Sequence, residues 1–211
     1  MTKPAPRILL ASGSDRRRDL LREAGIDFEI VVSNVDEEHE AGLEPEEVAP
    51  MLALRKAREV ARRFGSEDVL VIGADTMVAV DGAAGCELLG KPVGEADAHR
   101  MLLALSESKH RVVTGVAVIA TRPGGGSASE RSAWERTWVQ MRPITLDERN
   151  AYVESGEWRG KAGGYAIQEN ADTFVTELSE GGFDNVVGLP VALTLQLLAD
   201  HGFPAKPEAS D

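Results

Sequence analysis

The stretch VLVIGADTMVAV, residues 69–80, decides the fold class of this 211-residue chain. It is the most strand-like run in the sequence, because apolar and β-branched residues dominate it and Asp81 and Gly82 follow as a turn signal. Strand-like and helix-like segments interleave on both sides of it. The sequence therefore predicts an α/β protein.

Asp75 is the one charged residue within that apolar run. A carboxylate placed there loses solvation, so it needs a metal or a cation to remain ionised. The alternative is an aspartate at a strand end or a bulge, which the preceding Gly73 would permit. The stretch by itself leaves both interpretations open.

The remaining segments place helices and strands along one predicted domain, residues 1–203, followed by a disordered tail at 204–211. Pro50 is predicted to kink or restart the long second helix. A glycine-rich connection at 122–129 is predicted to be a mobile hairpin loop. The other predicted strands are 8–11, 28–35, 111–121, 133–144 and 172–178, and the predicted helices are 14–25, 45–64, 95–105, 145–156 and 189–202.

Composition excludes several classes of protein. The 35 acidic residues outnumber the 23 basic ones, which disfavours binding to nucleic acid or to anionic lipid, since both need a broad positive face. A single cysteine, Cys86, excludes an internal disulfide and fits a reducing compartment. No run of about 18 apolar residues occurs, so no membrane span is predicted. We expect a cytoplasmic protein.

The turn at residues 12–17, SGSDRR, is a candidate anion site. Ser14 is a plausible N-cap, and unpaired backbone amides at a helix start carry partial positive charge. Arg16 and Arg17 lie in the first helical turn, where the helix dipole disfavours cations by about 0.3 to 1 kcal/mol each. Guanidinium groups match phosphate oxygens two at a time, so a polyphosphate would offset that cost. The alternative is a pair of solvated arginines.

Three further segments offer ligands for a metal-bound polyphosphate. The acidic run VDEEHE, residues 35–40, could supply a hard-cation ligand, although most acidic runs are solvated loops. Lys56 and Lys91 are candidate phosphate ligands, each with a surface lysine as the alternative. Spacing around Lys91 imitates a P-loop, but Pro92 stands where a magnesium-binding Ser or Thr is required. We reject a P-loop.

The segment RGKAGGYAIQEN, residues 159–170, combines close-approach glycines with Lys161 and Gln168. The Gln168 amide could pair with the edge of a nucleobase. An ordinary glycine-rich link between a helix and a strand is the alternative. No histidine pair has metal-ligand spacing, and no nucleophile elbow occurs, so covalent acyl chemistry is disfavoured.

Six motifs occur in the order seen in the Maf family of nucleoside triphosphate pyrophosphatases, and the resemblance spans about residues 8–198. They are LLASGSDRRRDLL, GADTMVAVDG, LLGKP, HRVVTGVAV, GKAGGYAIQ and NVVGLP. The resemblance implies a mixed sheet with flanking helices and two lobes around a deep cleft, similar to inosine triphosphate pyrophosphatases. It also implies hydrolysis of a nucleoside triphosphate to a monophosphate and pyrophosphate, and a homodimer.

The resemblance also assigns roles to individual residues. Asp75 corresponds to the catalytic base and Thr76 to the adjacent specificity position, while Glu37 and Asp75 are the implied ligands of Mg²⁺ or Mn²⁺. Thr76 and Gln168 together resemble the branch that acts on dTTP and UTP. The implied substrate-binding residues are Ser14, Arg16, Arg17, Lys56, Thr76, Lys91 and Gln168.

Three residues depart from the family pattern. Asp15 stands where a proline is usual, and Ala166 and Glu169 stand where the pyrimidine branch often has glycines. These differences bear on base preference more than on chemistry. Two alternatives therefore stay open: a 7-methyl-GTP pyrophosphatase, and a nucleotide-binding regulator of cell division without relevant turnover.

Overall fold

One mixed sheet organises the part of the chain that the computed structural model describes, residues 6–40, 42–82, 85–122 and 129–203. Its strand order is β2-β1-β3-β5-β6-β7, and β4 pairs with the far end of β3. β1 runs parallel to β2 and β3, and the other pairs are antiparallel. The strands are β1 (Arg7–Leu10), β2 (Glu29–Ile30), β3 (Val69–Gly82), β4 (Gly85–Leu89), β5 (Lys109–Thr121), β6 (Ser129–Met141) and β7 (Val175–Ser179).

Helices cover both faces of this sheet, which confirms the predicted α/β class. Two short 3₁₀ segments, Ala162–Gly164 and Asn170–Phe174, lie between the helix Leu146–Ser155 and β7. None of the described helices is long and apolar enough to cross a membrane. The α-helices are α1 (Asp15–Glu23), α2 (Pro45–Arg63), α3 (Glu95–Leu105), α4 (Leu146–Ser155), α5 (Phe183–Val187) and α6 (Val191–Asp200).

Capping boxes open α4 and α2, whereas Ser14 occupies the predicted N-cap position of α1 without a side-chain capping hydrogen bond. Thr145 and Glu148 form the predicted capping box of α4, and Gly156 ends that helix in a left-handed conformation with φ of 76°. Glu44 and Glu47 form a second capping box that opens α2. Pro50 lies inside the unbroken helix α2, so the prediction that it restarts the helix is wrong. Proline lacks the backbone N–H that would donate to the carbonyl oxygen of Glu46, four residues earlier, and the helix continues through it.

Several predicted strand boundaries are wrong. The strands predicted over 133–144 and 172–178 are observed at Ser129–Met141 and Val175–Ser179. Two further errors have a reason found in the pairing partner. The second strand, predicted over 28–35, pairs only at Glu29–Ile30, because its neighbour β1 ends at Leu10. Asp81 and Gly82, predicted as a turn, extend β3 and pair with β4. The predicted connection at 122–129 lies largely outside the described residues, and the predicted tail at 204–211 lies entirely outside them.

β3 is buried on both faces, and its alternate residues face different helices. Ile72 and Ala74 pack in an apolar cluster with residues of α1 and α6. Val71 packs on the opposite face against α2. Because side chains alternate along a strand, Thr76 projects toward the face of α1, and Asp75 projects toward the face of α2.

Glycine lets helix α2 lie unusually close to the sheet. A Cβ on Gly73 would lie 2.2 Å from the carbonyl oxygen of Ala53, and one on Gly115 would lie 2.2 Å from the carbonyl carbon of Ala49. Gly115 is paired directly with Asp75 across the β3 and β5 ladder. The two glycines therefore bring the helix backbone down onto the strand that carries Asp75.

Candidate functional site

A gap along one edge of β3 positions the candidate site. β1 pairs with residues 69–72 of β3, and β4 pairs with residues 78–82, so residues 73–77 lie between these two partners. The end of β1 leads directly into the turn before α1. Neither β1 nor β4 covers this edge of β3 at residues 73–77. Side chains from both faces of the strand therefore reach the same space.

A cavity of about 760 Å³ fills this gap. Its walls come from the turn before α1, from α2, from the middle of β3 and from the segments around residues 90 and 160–169. This size suits a small-molecule ligand. All nine site residues predicted from the sequence line it: Ser14, Arg16, Arg17, Glu37, Lys56, Asp75, Thr76, Lys91 and Gln168.

Lys56 joins two carboxylates at the centre of the cavity wall. Its ammonium group donates to Oε1 of Glu37 at 2.6 Å and forms a short contact with Oδ1 of Asp75. Lys56 and Asp75 are each only 7% exposed. Lys91 donates to the other oxygen of Glu37 at 2.9 Å. Lys56 thus supplies the cation that the Asp75 carboxylate needs. Asp75 lies within the regular ladder of β3 and β5, so the alternative of a strand end or a bulge is wrong.

These contacts keep Glu37 ionised. Partial burial by itself would raise its pKa, but hydrogen bonds from Lys56 and Lys91 outweigh that effect and lower the pKa to about 2. The carboxylate therefore carries its negative charge across the physiological pH range. It remains available as a ligand for a cation.

Arg17 is held as a rigid fork at the opposite face of β3. Its Nε donates to the carbonyl oxygen of Gly188 at 2.8 Å, and its two terminal nitrogens donate to Ser12 at 3.1 Å and to Thr76 at 3.0 Å. A guanidinium has five N–H groups, so one remains on each terminal nitrogen. Gly188 has a φ of 124°, a conformation that side chains disfavour.

Burial lowers the pKa of both Arg16 and Arg17, with nearby carboxylates opposing the effect. The cause is lost solvation of the guanidinium group. The Nε of Arg16 is also buried without a hydrogen-bond partner in the described structure. Two poorly solvated cations beside one cavity favour an anionic ligand, because its oxygens would replace the lost water.

The wall around Gln168 contains residues that sequence reasoning left outside the site. Lys161, which is 9% exposed, forms an ion pair of 2.5 Å with Glu169. Tyr165 and Arg159 line the same wall, and Ser12 lines the arginine side. The sequence signal for Lys161 was its place in the glycine-rich segment. Arg159 and Tyr165 lie in the same segment and Ser12 lies in the turn at 12–17, but the sequence assigned them no role, because the contacts of their side chains depend on the fold.

Asp15, the departure in the first turn, is paired with a neighbouring cation. Its carboxylate pairs with Arg18, which is on α1 one turn later, and its side chain is 75% exposed. The cavity lining holds six cations and four carboxylates: Arg16, Arg17, Lys56, Lys91, Arg159 and Lys161 against Asp15, Glu37, Asp75 and Glu169. A chain with a net charge of −12 therefore concentrates a positive surplus in one cavity.

The side chains present fit a divalent cation that shares its ligands with a substrate. Among residues 6–40, 42–82, 85–122 and 129–203, no group of three or more His, Cys, Asp or Glu side chains could hold a metal by itself. Glu37 and Asp75 nevertheless converge on the Lys56 ammonium from different segments. Mg²⁺ commonly takes one or two carboxylates together with phosphate oxygens and water, so this pair is sufficient.

Comparisons with known proteins identify the family of this chain. A family model described as Maf-like protein matches residues 7–201. A dTTP/UTP pyrophosphatase of Symbiobacterium thermophilum is 43% identical over 93% of this chain and 95% of its own length. Proteins of the same name from Deinococcus radiodurans and an Anaeromyxobacter species are 43% and 46% identical, covering 95% and 94% of this chain and 96% and 91% of their own lengths.

Solved structures give a weaker likeness. The nucleoside-triphosphatase, or dITP/XTP pyrophosphatase, of Mycobacterium abscessus is 22% identical, with a TM-score of 0.39. The likeness covers 64% of this chain and 72% of that one.

Proposed function

This chain belongs to the Maf family, and from that premise we propose that it hydrolyses dTTP and UTP to the monophosphate and pyrophosphate. The observation that carries the proposal is the convergence of Arg17, Lys56, Lys91 and Asp75 on one cavity. Cations would bind the phosphate chain, and the carboxylate lies among them. The names of relatives that are 43% to 46% identical over more than nine-tenths of the chain support the same activity.

The reaction adds the oxygen of a water molecule to the α-phosphorus. The bond from that phosphorus to the oxygen bridging the α- and β-phosphates breaks, and pyrophosphate leaves with the bonding electron pair. Asp75 is the proposed base that orients the water and accepts its proton. A carboxylate is a weak base, so the water itself must be made more acidic.

Glu37 and Asp75 would hold a Mg²⁺ or Mn²⁺ ion, whose chemistry would be to acidify the water and neutralise phosphate charge. The phosphate chain is assigned to fixed cations that stabilise the charge gathering on departing pyrophosphate: Arg16, Arg17, Lys56 and Lys91. Lys56 holds Asp75 and Glu37 in place through its two ion pairs.

Base choice is assigned to the wall that holds Gln168. A glutamine amide has both a donor and an acceptor, which matches the N3–H and carbonyl groups of uracil and thymine. Ala166 and Glu169 are the neighbours that differ from the family pattern, and Glu169 is engaged by Lys161. That ion pair keeps the Glu169 charge balanced beside the proposed base site.

A nucleotide panel tests the proposal. We expect metal-dependent pyrophosphate release from dTTP and UTP, with kcat/KM at least about tenfold above CTP, GTP and 7-methyl-GTP. Pyrophosphate should be measured by a coupled assay, with a chelator added and then Mg²⁺ or Mn²⁺ restored. Preference for 7-methyl-GTP would contradict the base assignment. Binding of dTTP without release of pyrophosphate would favour a nucleotide-binding regulator.

The cytoplasmic location and the homodimer implied by the family stay predictions. Light scattering on the purified protein would test the dimer, since the chain mass is 22.6 kDa. A mass that stays at this value at micromolar concentration would contradict it.

A further inference from the structure

A chain of hydrogen bonds leads from Arg17 into the protein interior. A terminal nitrogen of Arg17 lies 3.0 Å from the Thr76 hydroxyl, which lies 3.0 Å from the hydroxyl of Thr114. The Thr114 hydroxyl donates to the carbonyl oxygen of Asn185 at 2.8 Å. Thr114 and Asn185 are completely buried, whereas Thr76 forms the cavity wall.

The direction of every bond in this chain is determined by counting protons. A carbonyl oxygen only accepts, so Thr114 gives its single hydroxyl proton to Asn185. Thr114 must then accept from Thr76, which uses the only hydroxyl proton of Thr76. Arg17 only donates, so a lone pair of Thr76 accepts from it. Thr76 therefore has no proton left for a carbonyl group of a base.

We propose that Thr114 is a positioning residue for phosphate binding, acting on Arg17 through Thr76. This inference rests on the proposed function, in which Arg17 binds the phosphate chain. Thr114 fixes the direction of the Thr76 O–H bond, and that direction aims a lone pair at the guanidinium. The remaining N–H groups of Arg17 are thereby held in one orientation, which preorganises them for phosphate oxygens.

Thr114→Val tests this proposal, because valine has nearly the same shape and lacks the hydroxyl. Inorganic tripolyphosphate serves as a probe without a base, and its Ki is measured by competition against dTTP. We expect the KM for dTTP and the Ki for tripolyphosphate to rise together by about five- to tenfold, as for the loss of one hydrogen bond. Thr114→Ser retains the hydroxyl and should stay within about twofold of wild type.

Thr121→Val is the matched control. Thr121 is also a buried threonine of β5, and its hydroxyl donates to the carbonyl oxygen of Glu67 at 2.7 Å, at the far end of the strand. Loss of this hydrogen bond should lower the free energy of unfolding without changing the KM for dTTP or the Ki for tripolyphosphate. The double variant Thr76→Val with Thr114→Val should lose no more affinity than Thr76→Val, because Thr114 acts through Thr76.

Three results would overturn the proposal. An unchanged Ki in Thr114→Val would show that Arg17 does not depend on this chain. A rise in KM for dTTP with no rise in Ki would place the effect on the base. A fall in kcat and in melting temperature, with KM and Ki unchanged, would mean a purely structural role.

The experiment also separates this inference from the proposed function. If the wild-type protein releases no pyrophosphate, the proposed function fails, while calorimetric binding of tripolyphosphate still compares the Thr114 variants. Should Thr114→Val fail to fold, Thr114→Cys replaces it, since a thiol is a weak donor. An intermediate rise in Ki is then expected, and a wild-type Ki would overturn the inference.

Discussion

At the scale of single residues, the decisive feature is a buried carboxylate whose charge is balanced by a lysine. Asp75 contacts Lys56, and Lys56 also contacts Glu37. Breaking a buried ion pair by removing one partner is costly when the other partner is left alone. Here Lys56 would keep Glu37 if Asp75 lost its charge, so the reaction can be impaired without loss of the fold.

Asp75→Asn is expected to lower kcat by at least about 100-fold, because the amide cannot accept the proton from water. Pyrophosphate release measures the rate, and the melting temperature measures the fold. Asp81→Asn is the matched control, since Asp81 is a carboxylate of the same strand that pairs with Arg111 away from the cavity. A normal rate in Asp75→Asn would refute the assigned role of Asp75.

At the scale of secondary structure, the contact of helix α2 with the sheet brings the two halves of the site together. Lys56 lies on the helix and Asp75 on β3, and their contact requires a short distance between helix axis and strand. Gly73 and Gly115 provide it, since each lies under backbone atoms of α2. Gly73 and Gly115, which have no reactive side chain, thus set the distance between Lys56 and Asp75.

Gly115→Ala is expected to destabilise the protein by about 1 to 3 kcal/mol, since the new methyl group would overlap the backbone of α2 at Ala49 and Pro50. The helix must move away, so kcat should fall as Lys56 separates from Asp75. Denaturant unfolding and pyrophosphate release measure the two effects. Gly65→Ala is the control, because its nearest neighbour, the Arg62 carbonyl oxygen, is 3.8 Å away. Equal behaviour of the two variants would count against the close-packing argument.

At the scale of the whole molecule, a buried histidine links the sheet to the cavity wall. His110 of β5 is completely buried, and its Nε2 lies 2.9 Å from the Tyr165 hydroxyl. Burial lowers the pKa of His110 to about 3. Tyr165 belongs to the segment that ends at Gln168, so this contact ties the proposed base site to the central sheet.

Stability should therefore fall as the pH falls below about 6.5. The unfolded chain binds a proton on His110 near pH 6.5, whereas the folded chain does so only near pH 3. This contribution is complete above pH 6.5 and decreases by about 1.4 kcal/mol per pH unit below it, which is about 2 kcal/mol by pH 5. Denaturant unfolding at pH 7.5 and pH 5 measures it.

His110→Gln provides the comparison for that measurement, because glutamine can hydrogen-bond but does not titrate. Between pH 7.5 and pH 5, the free energy of unfolding of this variant should decrease by about 2 kcal/mol less than that of the wild type. The same pH dependence in both proteins would show that other groups cause it.

Much of the fold could be predicted because many elements depend on residues that are close together in the chain. The apolar run of β3, the capping box at Thr145 and the helix at Glu95–Leu105 all follow from neighbouring residues in the chain. Errors arose where a partner sets the boundary. β2 stops because β1 stops, and Asp81 stays in a strand because β4 pairs with it.

The sequence by itself determined the residue types of the site and, through ordered motifs, the family. Only the tertiary structure decided that Asp75 and Thr76, on opposite faces of β3, serve one cavity. That outcome depends on β1 ending and β4 beginning on either side of residues 73–77. The ion pair of Lys56 and the hydrogen bond of Thr114 likewise join residues far apart in the chain. Such contacts depend on how strands pair and helices pack, and no local pattern of side chains encodes those distances.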